Sequence, residues 1–196
     1  MYTAYMFTGI ITKKGKVISS TKKNNSCFLT IEKPKGWKIK EGESIVTDGV
    51  CLTVKKINNK NYISELMEET LKKTTFGKIV PQYVNLEQSL RLTDRLSGHF
   101  VTGHIDTVGV IKKISRSGTS SLYTISFPKS FQKLIVKKGS IAIDGVSLTV
   151  VDTHPGIFSV AILPYTLEKT TLGDKKVGMS VNLEFDILAK YIQNNK

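Results

Sequence analysis

Two six-residue stretches hold the side chains best suited to chemistry: Gly49-Val50-Cys51-Leu52-Thr53-Val54 and Gly145-Val146-Ser147-Leu148-Thr149-Val150, which differ only in Cys51 against Ser147. Other polar residues stand around them in matched pairs, Thr8 with Thr102, Thr53 with Thr149, and Thr70 with Thr166. Mismatched pairs accompany them, Ile10 with His104 and Ser89 with Asp186. Matched hydroxyls among apolar neighbours suit an uncharged, polyhydroxylated or heteroaromatic ligand held by a few directional hydrogen bonds. The mismatched positions supply an imidazole, a thiol, a hydroxyl and a carboxylate, groups that move protons near neutral pH. His104 is the natural shuttle, because an unperturbed imidazole titrates near about 6.5. The common catalytic signatures are missing: there is no GxxxxGK loop, no GxSxG elbow, no HExxH pair and no carboxylate-rich metal loop.

The hexapeptides are the centre of a longer repeat. Ser44 to Val54 and Ser140 to Val150 share eight of eleven residues at an offset of 96. Thr70-Leu71, Lys73-Thr74-Thr75 and Gly77 recur at the same offset as Thr166-Leu167, Lys169-Thr170-Thr171 and Gly173. Val84-Asn85-Leu86-Glu87 recurs as Val181-Asn182-Leu183-Glu184, and Thr8-Gly9-Ile10 with Gly15 corresponds to Thr102-Gly103-His104 with Gly109. Four blocks in one order mean a duplicated domain; a solenoid would repeat every 20 to 50 residues in three or more copies. The expected division is a first domain over 1–97, of which 1–5 form an extra tail, a second over 98–186, and a terminal helix over 187–196.

Each half reads as short strands. Ser44 to Val54 mixes β-branched residues around an Asp48-Gly49 turn, and Tyr62 to Ser64 and Phe158 to Ile162 fit strand propensity. Asn58 to Asn61 and Thr153 to Gly156 are turns. Segments of this length, punctuated by glycine, predict an all-β fold with a small closed barrel in each half. Short helical turns are expected at 86–90 and 129–134, and a helix at the end, Ile187 to Ile192.

Composition narrows the class. A chain of 196 residues, 40% hydrophobic and 23% charged, is an ordinary globular protein. Its apolar runs are far below the roughly 20 residues that a spanning helix requires, and the start lacks the basic and apolar regions of a signal peptide. Cys27 and Cys51 make neither a disulfide framework nor a metal spacing, which fits a reducing compartment. The net charge of +13 comes from lysines scattered in pairs, with no aromatic stacking platform, so it reads as a solubilising surface and not as a nucleic-acid interface.

The stretches Met6 to Ile11, Gly49 to Val54, Ser97 to His104, Gly145 to Val150, Leu163 to Leu167 and Thr170 to Leu172, in unbroken order, resemble the riboflavin synthase family, alpha-chain type. The resemblance implies two homologous six-stranded antiparallel Greek-key barrels with a short C-terminal helix, a homotrimer and a cytoplasmic location. It implies catalysis without metal or organic cofactor, and no nucleic-acid or membrane partner. The implied reaction is a dismutation of two molecules of 6,7-dimethyl-8-ribityllumazine, one donating a four-carbon unit to the other, giving riboflavin and 5-amino-6-ribitylaminouracil. Association with a lumazine synthase also belongs to this expectation. The family's catalytic positions fall on His104, Ser147 and Asp186, with Cys51, Thr149, Ser44, Thr8 and Phe7 assisting. Its substrate-binding positions fall on Gly9, Ile10 and Ile11; on Cys51, Leu52 and Thr53; on Glu65, Leu66, Met67, Glu68, Glu69 and Thr70; on Gly103, His104 and Ile105; on Lys138; on Ser147, Leu148 and Thr149; and on Leu163, Pro164, Tyr165, Thr166, Leu167 and Glu168. Tyr165 departs from the glutamate or histidine more usual at its position. His99 reads as either structural or supporting the site, and Trp37 as core or a loop anchor. Two rival readings predict different behaviour: a non-catalytic lumazine carrier would bind without turnover, and a nucleic-acid binder would lose affinity steeply with salt.

Overall fold

Alternation of apolar and polar residues carries both halves into β-structure. In the computed structural model, which describes residues 6–194, the first half forms β1 (Lys13–Lys23), β2 (Ser26–Glu32), β3 (Ser44–Thr47), β4 (Val50–Ile57), β5 (Asn61–Leu66) and β6 (Tyr83–Gln88). The second forms β7 (Thr107–Ser117), β8 (Ser120–Ser126), β9 (Ser140–Ile143), β10 (Val146–His154), β11 (Ile157–Ile162) and β12 (Ser180–Phe185). Residues of β2 and β5 are buried at every second position, as a sheet with one face on a core requires. The expected tail, 1–5, and the final residues 195–196 lie outside the described residues.

Each set closes into a six-stranded antiparallel barrel, with β1, β2, β5, β4, β3 and β6 in succession and β7, β8, β11, β10, β9 and β12 in the same succession. Hairpins join β3, β4 and β5, and β6 returns to lie beside β3, a Greek-key path. Register shifts interrupt β1 and β4 after Val17 and Val54, and β7 and β10 after Ile111 and Val150. Such bulges add the local bend that lets a short sheet close. Leu29, Ile31, Tyr62 and Leu86 fill the first barrel; Ile125, Phe158, Val160 and Leu183 fill the second.

Helices are short: α1 (Glu68–Lys73), α2 (Pro164–Lys169) and α3 (Ile187–Asn194). Residues 129–134 form a 3₁₀ turn, in keeping with the expectation there. The turn expected at 86–90 is not helical: β6 runs through Gln88, with Leu86 in the barrel core. Leu86 and Leu90 have the spacing of a helical stripe, but closure of the barrel between β1 and β3 claims this segment's backbone hydrogen bonds.

The β3–β4 and β9–β10 hairpins turn on Asp48-Gly49 and Asp144-Gly145, with φ of 45° and 83° in the first and 45° and 80° in the second. Positive φ at both central residues is the type I′ turn, whose twist matches its strands. The two turns meet each other. A Cβ on Gly49 would lie 2.8 Å from the backbone nitrogen of Gly145, and one on Gly145 would lie 2.8 Å from that of Gly49.

Side chains of β6 and β12 that point away from their own cores cross between barrels. Asn85 donates through Nδ2 to the Asp144 carbonyl at 2.9 Å, and Asn182 donates to the Asp48 carbonyl at 2.8 Å. The backbone nitrogens of Thr171 and Thr75 donate to the Oδ1 atoms of Asn85 and Asn182, at 2.7 and 2.8 Å. Asp48 and Asp144 each accept from the backbone of the asparagine in their own barrel at 2.7 Å. Beside this network Phe7, Val46, Val101 and Ala142 form a small apolar cluster, and Phe7 pairs with Val101 as an antiparallel bridge.

Among the described residues a single lysine serves the two buried aspartates: Lys175 Nζ lies 2.7 Å from Asp144 Oδ2. Loss of hydration first, and the neighbouring Asp144 charge second, push the Asp48 carboxyl up from 3.8 to about 8. A folded-state value above the unfolded one means that the native state holds the extra proton between roughly pH 4 and 8, so this group's contribution to stability falls as pH rises through that window. Asp48→Asn keeps an acceptor for Asn85 and carries no charge. Its urea midpoint is expected to change less between pH 5 and 8 than that of the wild type; an equally steep decline would place the titrating group elsewhere.

Candidate active site

Two Thr-Gly segments organise the site, and each is gripped from both barrels. Thr8 donates from its backbone nitrogen and its hydroxyl to Glu87 Oε1, both at 2.7 Å, and the Gly9 nitrogen donates to Glu87 Oε2 at 3.0 Å. Thr102 and Gly103 repeat the arrangement on Glu184, at 2.6, 2.6 and 2.9 Å. The next contact crosses over. The Gly9 carbonyl accepts from the Ser147 nitrogen on β10, and the Gly103 carbonyl accepts from the Cys51 nitrogen on β4, each at 2.8 Å. Ile11 accordingly packs against the second barrel's core and Ile105 against the first's.

Glycine is required in both segments. Gly9 and Gly103 have φ of 74° and 77°, and an added Cβ would stand 2.6 Å from the Cβ of Ser147 or 2.5 Å from that of Cys51. The left-handed backbone and the close approach each exclude other residues.

The two surfaces built this way share a frame and differ in chemistry. On the second barrel Ser147 Oγ lies 2.7 Å from His99 Nδ1, and the His99 backbone nitrogen donates to the Thr8 carbonyl at 3.2 Å. Burial holds the His99 imidazole below its ordinary 6.5, with the Asp186 carboxylate opposing. A neutral ring facing a hydroxyl can take its proton. On the first barrel Cys51 sits beside Ser44, and burial pushes its thiol up, against the Ser44 hydrogen bond and with the Glu184 charge adding to the rise. The thiol is therefore a neutral donor and not a ready thiolate. Burial also raises the carboxyls of Glu87 and Glu184, against the hydrogen bonds that they accept.

The structure sorts the expected residues into two groups. Gly9, Ile10, Ser147, Leu148 and Thr149 lie together on the second barrel, and β11, paired with β10, leads into Leu163, Pro164, Tyr165, Thr166, Leu167 and Glu168. Asp186 directly follows β12 on this barrel and accepts from the Leu188 nitrogen at 3.0 Å at the start of α3. Gly103, His104, Cys51, Leu52 and Thr53 lie together on the first barrel, with Ser44 opposite Thr53 in the β3–β4 register and β5 leading from Glu65 and Leu66 into Met67, Glu68, Glu69 and Thr70. His104 thus stands with Cys51 and not with Ser147. It is exposed, as are Thr53, Thr149, Met67 and Tyr165. Phe7 is fully buried between the barrels, and Lys138 is exposed with φ of 66°, its nitrogen donating to the Val150 carbonyl at 2.8 Å. Trp37 packs partly buried against the first barrel's core.

Sequence reasoning passed over Glu87 and Glu184 and left the part of His99 open. The signal for the glutamates was partial: in Val-Asn-Leu-Glu the apolar residues alternate inward, so Asn and Glu face outward, and only a second barrel on that side makes the outward face a buried one. Among the described residues no group of three or more His, Cys, Asp and Glu could hold a metal ion, and no helix is long and apolar enough to cross a membrane.

A barrel of this topology, repeated in one chain with a clamped Thr-Gly segment on each copy, defines a class. The lumazine binding domain matches residues 8–89 and again residues 102–186, and the chain belongs to that family. Within it, the chain is 42% identical to the riboflavin synthase of Actinobacillus pleuropneumoniae over 190 residues, which cover 96% of this chain and 88% of that one. It is 39% identical to the riboflavin synthase of Mycobacterium tuberculosis over 194 residues, 96% of each chain, and 34% identical to that of Bacillus subtilis over 189 residues, covering 95% and 88%. The crystal structure of LumP complexed with 6,7-dimethyl-8-(1'-D-ribityl) lumazine shares the fold, with a TM-score of 0.82 at 24% identity over 91% of this chain and 98% of that one.

Glu184→Ala would strand the donors of Thr102 and Gly103. We expect it to lower stability by about 3 kcal/mol or more, since three donors lose their acceptor and each unpaired buried donor costs about 1–3 kcal/mol, and to weaken ligand binding on the first barrel more than on the second. Urea denaturation and ligand titration check both; equal loss at the two sites would show that Glu184 serves the fold alone.

Proposed function

We propose that the protein is a riboflavin synthase, a cofactor-independent transferase that carries out the last step of riboflavin biosynthesis. The observation that carries this reading is the pairing of two equally built binding surfaces, each with its own clamp, that present different reactive groups. Two molecules of 6,7-dimethyl-8-ribityllumazine enter in different roles. One gives up a four-carbon unit and leaves as 5-amino-6-ribitylaminouracil; the other accepts the unit and becomes riboflavin. A dismutation of one substrate calls for this combination of equal recognition and unequal chemistry, and holding both molecules together replaces a bimolecular encounter with an effectively unimolecular step.

Backbone groups of Gly9 to Ile11 with Ser147 to Thr149, and of Gly103 to Ile105 with Cys51 to Thr53, read the pyrimidinedione edges. Residues 65–70, 163–168 and Lys138 line the remainder. A proton leaves the C7 methyl of one lumazine while a nucleophile adds to the other. Ser147, its hydroxyl turned toward the neutral His99 ring, serves the lumazine on the second barrel, with Asp186 setting the field at His99. His104, Cys51 and Ser44 serve the one on the first barrel, and Thr149, Thr8 and Phe7 hold these groups in place.

As the family resemblance implies, the reacting pair is assembled between the first barrel of one subunit and the second barrel of another in a homotrimer, and the placement of one chain's two surfaces on separate barrels fits that arrangement. The apolar side chains of Leu188, Tyr191 and Ile192 on α3, all exposed in the single chain, support such an assembly. The proposed division into 1–97, 98–186 and 187–196 rests on the sequence repeat and the terminal helix. A cytoplasmic location and association with a lumazine synthase complete the reading.

The direct test mixes the purified protein with 6,7-dimethyl-8-ribityllumazine alone and follows both chromophores. Two lumazines should disappear for each riboflavin formed; tight binding without turnover would make the protein a carrier. Ser147→Ala is expected to lower kcat about 10²-fold or more, the usual scale of proton-transfer catalysis. Because the His99 value is held below 6.5, the acid limb of the rate profile should begin below that pH; His99→Asn should remove the limb, and its persistence would assign it to another group.

A further inference from the structure

Opposite the Glu87 clamp, a cleft of about 650 Å³ opens between the barrels around the far ends of β6 and β12. Its volume lies within the range of about 300–1,000 Å³ typical of small-molecule sites. None of the residues expected in the lumazine sites lines it. Tyr83 lines it at the start of β6, four residues before Glu87, roughly 13 Å along a strand.

The floor is polar and the walls are not. Asp48, Thr171 and Lys175 form the floor, with Lys175 only 17% exposed and committed to Asp144. Ile79, Tyr83 and Met179 supply apolar walls, and all three are left exposed. Lys14 of the first barrel and Asp174 of the second form an ion pair across the cleft.

Two lysines of the cleft directly follow 3₁₀ turns, Lys78 after 75–77 and Lys175 after 171–174. Lys175 turns inward and is neutralised. Lys78 is exposed on the cleft, and among the described residues no ion pair engages it. Of the lining carboxylates, Asp174 is taken by Lys14. A pocket with an unpaired ammonium at its rim and apolar walls complements a flat apolar body that bears one negative charge.

We propose that this interbarrel cleft is a second ligand site, separate from the lumazine surfaces, which takes a small aromatic monoanion, its ring among Ile79, Tyr83 and Met179 and its charge at Lys78. A ligand there would touch both barrels and the network that joins them, so its binding is coupled to the geometry of the two Thr-Gly segments.

The probe is 8-anilinonaphthalene-1-sulfonate, titrated calorimetrically into the full chain with and without saturating riboflavin. We expect one probe per chain in both conditions and about tenfold weaker binding to Lys78→Glu, the loss of one favourable charge contact of about 1.4 kcal/mol. Lys78→Arg should bind as the wild type does, and the uncharged N-phenyl-1-naphthylamine should bind about tenfold more weakly than the sulfonate. Displacement of the probe by riboflavin would assign it to the lumazine surface and overturn the proposal. Unchanged affinity in Lys78→Glu, whose exposed position leaves folding intact, or equal binding of the uncharged amine would overturn it as well. The Lys78→Glu comparison holds whether or not riboflavin binds, so it fails separately from the proposed synthase activity.

Discussion

The fold depends on a reciprocal exchange of hydrogen bonds between two barrels that cannot bury their own polar strand faces. Asn85 and Glu87 leave the first core on the outward side of β6, and Asn182 and Glu184 do the same on β12. All four are almost fully buried, so every polar atom needs a partner. Asparagine, with both a donor and an acceptor, crosses to the opposite hairpin. Glutamate, which only accepts, collects three donors of a Thr-Gly segment and presses that segment onto the opposite barrel. The candidate site is therefore a by-product of the barrel contact: the interaction that holds the halves together also shapes the proposed binding surface.

The equivalence of the halves is kept in the backbone and broken in the side chains. The same carbonyl-to-amide contact at 2.8 Å places Gly9 on Ser147 and Gly103 on Cys51. What differs is the group that reaches each contact, a histidine on one side and a serine with a glutamate on the other. Positional precision comes from the shared frame, and the chemical roles can diverge without disturbing it.

How much of this was legible in the sequence depended on range. The duplication, the Asp-Gly hairpins and the barrels were readable because strand alternation and I′ turns are local, and because the repeats keep a nearly constant offset. The pairing of His99 with Ser147 joins residues 48 apart through a crossover, and no local pattern announces it. Glu87 and Glu184 were hidden differently. A glutamate on the polar side of a strand ordinarily faces water, and only the presence of a second barrel on that side changes its meaning. Helices α1 and α2 are six residues each, too short for periodicity to register. The leucines at 86 and 90 misled because spacing alone cannot distinguish a helical turn from a strand that ends in a loop.

The Asp48-Gly49 and Asp144-Gly145 turns touch backbone to backbone, each answering the other. Contacts in which position i meets j while the counterpart of j meets that of i are the mark of an isologous interface between two identical subunits. The chain therefore carries inside itself the symmetry of a homodimer, its halves joined by the segment between β6 and β7 that passes through Val101. Fusion freed each copy from obeying that symmetry, and Cys51 and Ser147 could then drift apart, something that no symmetric dimer of one gene product can achieve.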